Sequence, residues 1–249
     1  MTKSCVLLQH SNLSSVVTST LACKMYDNIL RVTFIYGNEN YQIDYRMPGL
    51  HNAWLTSDRE EDEYEDPQDR YEVDFDNSLV TNFAPQTKQY PTQIIGDNGW
   101  RWIVADRGWV PKYLPPLFPM FVLHSAGLAW EEDKNDVVWG FHQEDCKSKP
   151  DGLNDSLQDL IDVAFDREIP LKAPLKDLTK TQIVKLGDEL DVNWNLSYSC
   201  IHPTNPRKLA HCGECYGCKR RWKAFDEAEV HDPLREAYKV NPWEKETQA

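Results

Sequence analysis

The chain has 249 residues, 41% of them hydrophobic, and a formal charge of −13. That length suits one large α/β domain or two small ones, and that charge disfavours nonspecific affinity for nucleic acid or anionic membrane. No apolar run reaches the length of a membrane span and the first residues lack a signal-peptide pattern, so a cytoplasmic protein without membrane contact is expected.

In chain order, Ser4–Leu8 is a short apolar run, Val16–Met25 has helical character, and Leu30–Tyr36 is β-branched and aromatic before it stops at Gly37. Strand, turn, helix, strand is the opening of a parallel sheet. Residues from about 45 to 100 read as an insertion. Within it, Asp58–Asp76 holds eleven acids against Arg59 and Arg70, which leaves the rest of the chain at only −4. Such a composition predicts a solvated loop or a partly disordered segment. Met120–Trp130 follows a proline cluster and predicts a buried helix; Asp136–Phe141 predicts a strand ending at Gly140. Asp155–Phe165 has apolar residues at helical spacing behind the cap candidates Asn154 and Asp155, and Leu178–Leu190 repeats the pattern with Thr179 as N-cap. Lys219–Val230 predicts the last helix.

Between the last two helices lie Cys200, Cys212, Cys215 and Cys218, spaced C-x11-C-x2-C-x2-C. Two overlapping Cys-x-x-Cys steps bring three thiolates to one cation, and Cys200 closes the tetrahedron across a loop. Zn²⁺ suits four thiolates at about 2.3 Å, and a site with all four ligands from protein is closed and structural. An iron–sulfur cluster is the competing reading, although the ferredoxin run wants a further cysteine just downstream, where this chain has Trp222. Gly213 and Gly217 each sit inside a Cys-x-x-Cys step, where a tight turn needs positive φ. His202 and His211 flank the thiolates as fallback ligands. Arg207, Lys208, Lys219, Arg220, Arg221 and Lys223 form a basic cluster that balances the charge left by four thiolates. Cys5, Cys23 and Cys146 complete seven cysteines and read as small residues in or near the core, in keeping with a reducing compartment.

The run Ser199-Cys200…Cys212-Gly-Glu-Cys215-Tyr-Gly-Cys218-Lys-Arg-Arg221, with Phe225 beyond it, resembles 7-cyano-7-deazaguanine synthase, a family of the PP-loop ATP pyrophosphatase superfamily. Pro174-Leu175 with Lys180, Gly140 with Asp145 and Pro150-Asp151, and Val32-Thr33-Phe34-x-Tyr36-Gly37 extend the likeness over most of the chain outside residues 45–100. The resemblance implies a Rossmann-like parallel-sheet PP-loop fold (adenine nucleotide alpha hydrolase-like). On that reading residues 1–195 form the α/β domain and residues 196–249 a zinc-binding helical segment. It also implies ATP- and Mg²⁺-dependent conversion of a carboxylate on a deazapurine to a nitrile, with ammonia as nitrogen donor.

Where the family's phosphate loop reads Ser-Gly-Gly-x-Asp-Ser, this chain has His10-Ser11-Asn12-Leu13-Ser14-Ser15. Both glycines that let backbone approach phosphate are replaced, and Ser14 removes a carboxylate; Asn12, tolerant of positive φ, is the residue expected to keep the turn. The family's Pro-x-Arg-Asn falls on Pro111-Lys112-Tyr113-Leu114, and the Arg after Pro150-Asp151 falls on Leu153. Asp145, Asp151 and Lys180 are retained as ligand-binding candidates. Three segments that face ligand have lost charge or backbone freedom while scaffold and zinc module persist. The first expectation is therefore a diverged family member without the usual ATP pyrophosphatase chemistry, binding a purine-like molecule or a protein partner. An active synthase feeding queuosine or nucleobase modification is the second, and a zinc-stapled nucleic-acid or protein-binding module the third. The sequence leaves a homodimer open. A ligand crevice is expected at the carboxyl edge of the strands, bordered by residues 10–15, 36–40, 111–114 and 145–151.

Overall fold

The computed structural model describes residues 2–35, 41–56, 70–74, 102–105, 108–111, 117–145, 150–202 and 210–239. β1 (Ser4–Gln9), α1 (Leu13–Met25) and β2 (Asn28–Ile35) open the chain as expected. β1 and β2 pair in parallel, with Ser4 opposite Asn28 and Gln9 opposite Thr33. α2 (Tyr41–Thr56) and β3 (Arg70–Asp74) follow, and β3 adds in parallel to β2. β4 (Trp102–Ala105) and β5 (Gly108–Pro111) form a separate antiparallel pair. α3 (Leu117–Glu131), β6 (Asp136–Val138), α4 (Pro150–Ala164), β7 (Leu171–Lys172), α5 (Lys180–Glu189) and α6 (Tyr216–Ala228) complete the regular elements.

The main sheet has the order β3-β2-β1-β6-β7, with every pairing parallel. Alternation along the central strands divides the core between its two faces. Val6, Val32 and Phe34 face α3 and α4, where Phe121, Val122, Leu157 and Ile161 cover them. Cys5 and Leu7 face the other way, against Ala22 of α1 and Tyr26, its C-cap. α1 also packs through Leu13, Val16 and Val17 against Ile183 and Val184 of α5 and Ala224 and Phe225 of α6. The carboxyl-terminal helices are thereby fixed to the sheet through one helix.

Three expectations need correction. The acidic stretch is not wholly loop, because Arg70–Asp74 is the edge strand β3: Tyr71 and Val73 give these five residues enough β-propensity to pair along β2 despite the charge around them. The proposed insertion likewise begins inside α2, whose Ile43 and Met47 are buried. α4 starts at Pro150, ahead of the expected caps, and Asn154 instead accepts a hydrogen bond from Trp139 Nε1 at 3.1 Å. The helix at 180–189 has Thr179 as N-cap as expected, and the structure adds a reciprocal capping box between Thr179 and Gln182. Cys146 and the remainder of the acidic stretch lie outside the described residues.

Candidate metal centre and the neighbouring crevice

Cys200, Cys212, Cys215 and Cys218 converge, their sulfurs all within 4.8 Å of one another and all four residues buried. Cys215 Sγ lies 3.4 Å from Cys218 Sγ and 3.9 Å from Cys200 Sγ, and Cys212 Sγ lies 3.8 Å from Cys218 Sγ. Backbone N–H groups point at the sulfurs: Cys212 N to Cys200 Sγ at 3.3 Å, Cys215 N to Cys212 Sγ at 3.3 Å, and Ile201 N and Cys218 N to Cys215 Sγ at 3.4 Å each. Donors arranged in this way stabilise thiolates. Cys215 is also the N-cap of α6, so the helix terminus adds partial positive charge beside its sulfur.

Hydrogen bonds from the neighbouring thiols, Cys200 foremost, hold Cys212 well below the ordinary thiol range and bring Cys215 down to about 6. Bonds within the same cluster push Cys200 and Cys218 up. Protons are shared among four sulfurs that cannot all ionise together without a cation, so metal binding must release protons.

The two glycines serve different needs. Gly213 takes φ 79°, the left-handed turn the spacing predicts. Gly217 does not; a Cβ there would fall on the carbonyl oxygen of Ser199, so its role is to let α6 approach the segment that carries Cys200.

A strap formed by residues 231–239 closes the module. His211 N donates to Ala237 O at 3.1 Å and Lys239 N to His211 O at 2.8 Å. The His211 ring lies between those of Tyr198 and Tyr238, with centroids 4.4 and 5.0 Å away, and its Nε2 accepts from Ser199 N at 3.4 Å. His211 is thus a wedge between aromatic rings instead of a reserve ligand, because four sulfurs already complete the cluster. Arg221, fully buried, donates from Nε to Asp232 Oδ2 at 2.9 Å and from Nη2 to Asp232 Oδ1 at 2.8 Å. Its Nη1 reaches Ser197 Oγ at 2.8 Å. This cation neutralises a carboxylate, not the thiolates, which corrects its expected place in a charge-balancing cluster. Burial raises the pKa of Asp232, yet the Arg221 charge, with hydrogen bonds from Arg221, Leu234 N and Tyr238 Oη, outweighs it and holds the carboxyl below its ordinary range. Nothing at sequence level joins Arg221 to Asp232, which lies in a loop.

The phosphate-loop equivalent is closed on itself. Asn12, the N-cap of α1, has φ −76°, so the expected left-handed turn is absent. Asn12 Oδ1 accepts from Ser15 N at 2.9 Å and from Ser14 Oγ at 2.9 Å, while Ser15 Oγ accepts from His10 N at 2.7 Å. Ser11, Ser14 and Ser15 are all buried, and Ser11 O accepts from Tyr198 N at 2.6 Å, tying the loop to the metal module.

Of the retained candidates, Asp145 accepts from His142 N at 3.1 Å and faces His142 Nδ1 at 2.9 Å. Half-buried Lys180 lines a cleft of about 710 Å³ together with Glu144, Tyr216 and Arg220. Burial holds its ammonium below the ordinary range, with Asp145 pulling upward and Arg221 adding to the drop. Glu144, unforeseen in the sequence, accepts from Lys180 N at 2.7 Å and pairs with Arg220. Asp151 is the second residue of α4, away from the cysteines in sequence. Of the expected crevice borders, residues 36–40, 112–114 and 146–149 lie outside the described residues.

A parallel α/β sheet carrying a four-cysteine centre defines the class of this protein. Residues 105–229 match the family model described as "Queuosine biosynthesis protein QueC". The 7-cyano-7-deazaguanine synthase of Methanobrevibacter smithii is 40% identical over 100 residues, which are 39% of this chain and 42% of that protein. That of Methanopyrus kandleri is 37% identical over 111 residues, 43% of this chain and 48% of that one, so the chain spans less than half of either relative. That of Methanosphaera stadtmanae is 27% identical over 249 residues, covering 88% of this chain and 94% of the relative. The solved structure of the U34-tRNA thiolase NcsA from Methanococcus maripaludis with its [4Fe-4S] cluster aligns at TM-score 0.44 and 12% identity, over 95% of this chain and 67% of that one. The chain belongs to the QueC family.

Proposed function

We propose that this chain is a zinc-stapled member of the QueC family that has lost the ATP pyrophosphatase step and retains a crevice for a purine-like ligand. The observation that carries the reading is the side chain of Asn12. Its Oδ1 occupies the N–H of Ser15 and the hydroxyl of Ser14, the groups that an anion at the start of α1 would require. No carboxylate stands in the loop to manage Mg²⁺, and Ser11 places a buried side chain where the family has glycine.

Zinc is favoured for the cysteine centre by size. A tetrahedron with metal–sulfur bonds of about 2.3 Å has edges of about 3.8 Å, and the cluster presents sulfurs 3.4, 3.8 and 3.9 Å apart. An iron–sulfur cluster would interpose several ions between the same sulfurs. When bound, the ion supplies folding free energy; the chain's own part is to supply four thiolates and the N–H groups aimed at them.

The test is calorimetric titration of ATP–Mg²⁺ into zinc-loaded protein, with pyrophosphate release measured in the presence of 7-carboxy-7-deazaguanine and ammonium. Neither binding nor release is expected. Release of pyrophosphate would overturn the reading and establish an active synthase.

A further inference from the structure

We propose that the cleft bounded by α5, α6 and the turn after β6 is a site for a small carboxylate-bearing molecule, whose carboxylate takes the place of Glu144 on Arg220. The cleft measures about 710 Å³, within the size range of small-molecule sites. None of residues 10–15 lines it, so it is distinct from the closed loop at the start of α1 and independent of the purine-ligand reading.

In a chain of formal charge −13, the walls of this cleft carry four cations, Lys180, Lys185, Arg220 and Lys223, against two acids, Glu144 and Glu227. Both acids are engaged. Glu227 pairs with Lys223 at 3.5 Å and accepts from Thr181 Oγ1 at 2.8 Å. Glu144 uses one oxygen on the N–H of Lys180, at 2.7 Å, and the other on Arg220 Nη2. Among the described residues, no acceptor reaches the ammonium of half-buried Lys180. Asp145 attracts it, but Asp145 Oδ2 accepts the main-chain N–H of His142. Burial lowers the pKa of Lys180 and Arg220 alike, so both cations stand where water screens them poorly and an added negative charge is favoured.

Glu144 shows what the seat accepts. One of its oxygens lies on the first N–H of α5, a donor with no partner inside the helix, and the other on a guanidinium. Arg220 is held over the ring of Tyr216, 5.1 Å from the centroid, so its fork keeps its place when Glu144 leaves. The Glu144 side chain is 33% exposed against 19% for Arg220, and it is the partner that can turn out to solvent. A carboxylate of the chain thus fills the seat until an outside one competes for it. A planar carboxylate matches the two donors that Glu144 bridges, and this sets the ligand class.

The experiment is a ¹H–¹⁵N NMR titration of the full, zinc-loaded chain with benzoate as the probe, at constant ionic strength, beside benzamide and inorganic phosphate. Benzoate is expected to shift the Lys180 and Tyr216 amides saturably, and benzamide, its uncharged counterpart, to leave them unmoved. Glu144→Gln keeps an acceptor for the Lys180 N–H but gives up the charge. It should bind benzoate about tenfold tighter, the scale of one charge-assisted hydrogen bond. Arg220→Met should abolish the saturable shifts. Lys180→Gln, a second variant should that one misfold, should weaken benzoate roughly tenfold. A parent chain unmoved by benzoate overturns the proposal and leaves Glu144 and Arg220 as a structural ion pair. Equal affinity in the parent and in Glu144→Gln overturns the displacement of Glu144. Shifts with phosphate alone overturn the carboxylate class, and equal shifts with benzamide overturn the role of charge. Pyrophosphate release is read in a separate assay, so failure here leaves the proposed loss of that step untouched.

Discussion

Arg221 and Asp232 meet end-on, with two nitrogen–oxygen contacts of 2.9 and 2.8 Å and the guanidinium wholly removed from solvent. The pair ties α6, three residues past its last cysteine, to the strap that covers the metal loops. Removing either partner leaves an uncompensated buried charge. Arg221→Met or Asp232→Asn is therefore expected to cost about 3–5 kcal/mol, and replacing both by apolar residues less than either alone. Urea unfolding of the zinc-loaded protein checks this; two additive single effects would contradict it.

The same pair predicts an acid limb. The folded-state pKa of Asp232 is depressed, so its contribution is fully present above the unfolded carboxyl value, about 3.9, and is lost as pH falls through the folded value. Melting temperature measured from pH 6 down to pH 2 should fall less steeply in Asp232→Asn than in the parent chain.

Cys215 accepts two backbone N–H groups, touches two other sulfurs and caps α6. Cys215→Ser should lose the bound metal and unfold or aggregate, and a strong chelator should do the same to the parent chain. Metal content by elemental analysis, read beside thermal unfolding, checks this. An unchanged melting temperature with no metal loss would refute a structural metal.

Gly217→Ala and Gly213→Ala separate close approach from turn conformation. At Gly213 the penalty is left-handed backbone, about 1–2 kcal/mol. At Gly217 the new methyl must displace the Ser199 carbonyl beside Cys200, which costs about 1–3 kcal/mol and disturbs a ligand loop directly. Competition with a chromophoric chelator should show faster metal release from Gly217→Ala than from Gly213→Ala.

Asn12→Ala removes the cap of α1 and should cost about 1 kcal/mol. Wild-type stability in this variant, measured by urea unfolding, would mean that the closed loop contributes nothing.

Local rules accounted for much of this. The Thr179 N-cap and the four-cysteine spacing are short-range patterns, each satisfied within one turn or loop, and both appear where expected. What escaped depends on partners distant in sequence or on context. β3 hides in acidic sequence because strand formation there is decided by pairing with β2. Asp232 looks like an ordinary loop acid until Arg221 is found beside it. Substitution of the loop glycines was plain in the sequence, but the conformation of Asn12 was not: a residue that tolerates positive φ also caps helices well, and the cap prevailed.

The strap at residues 231–239 lies downstream of all four cysteines in the chain, and this sets an order of assembly. A ribosome makes every thiolate before it makes the residues that cover them, so the nascent module can take up its ion while still open. Tyr238 and Asp232 then close over the cysteine loops, Tyr238 Oη donating to Asp232 Oδ2 and its ring lying against that of His211. In the finished protein the rate of metal exchange should follow the opening of the strap, and not the affinity of the four sulfurs.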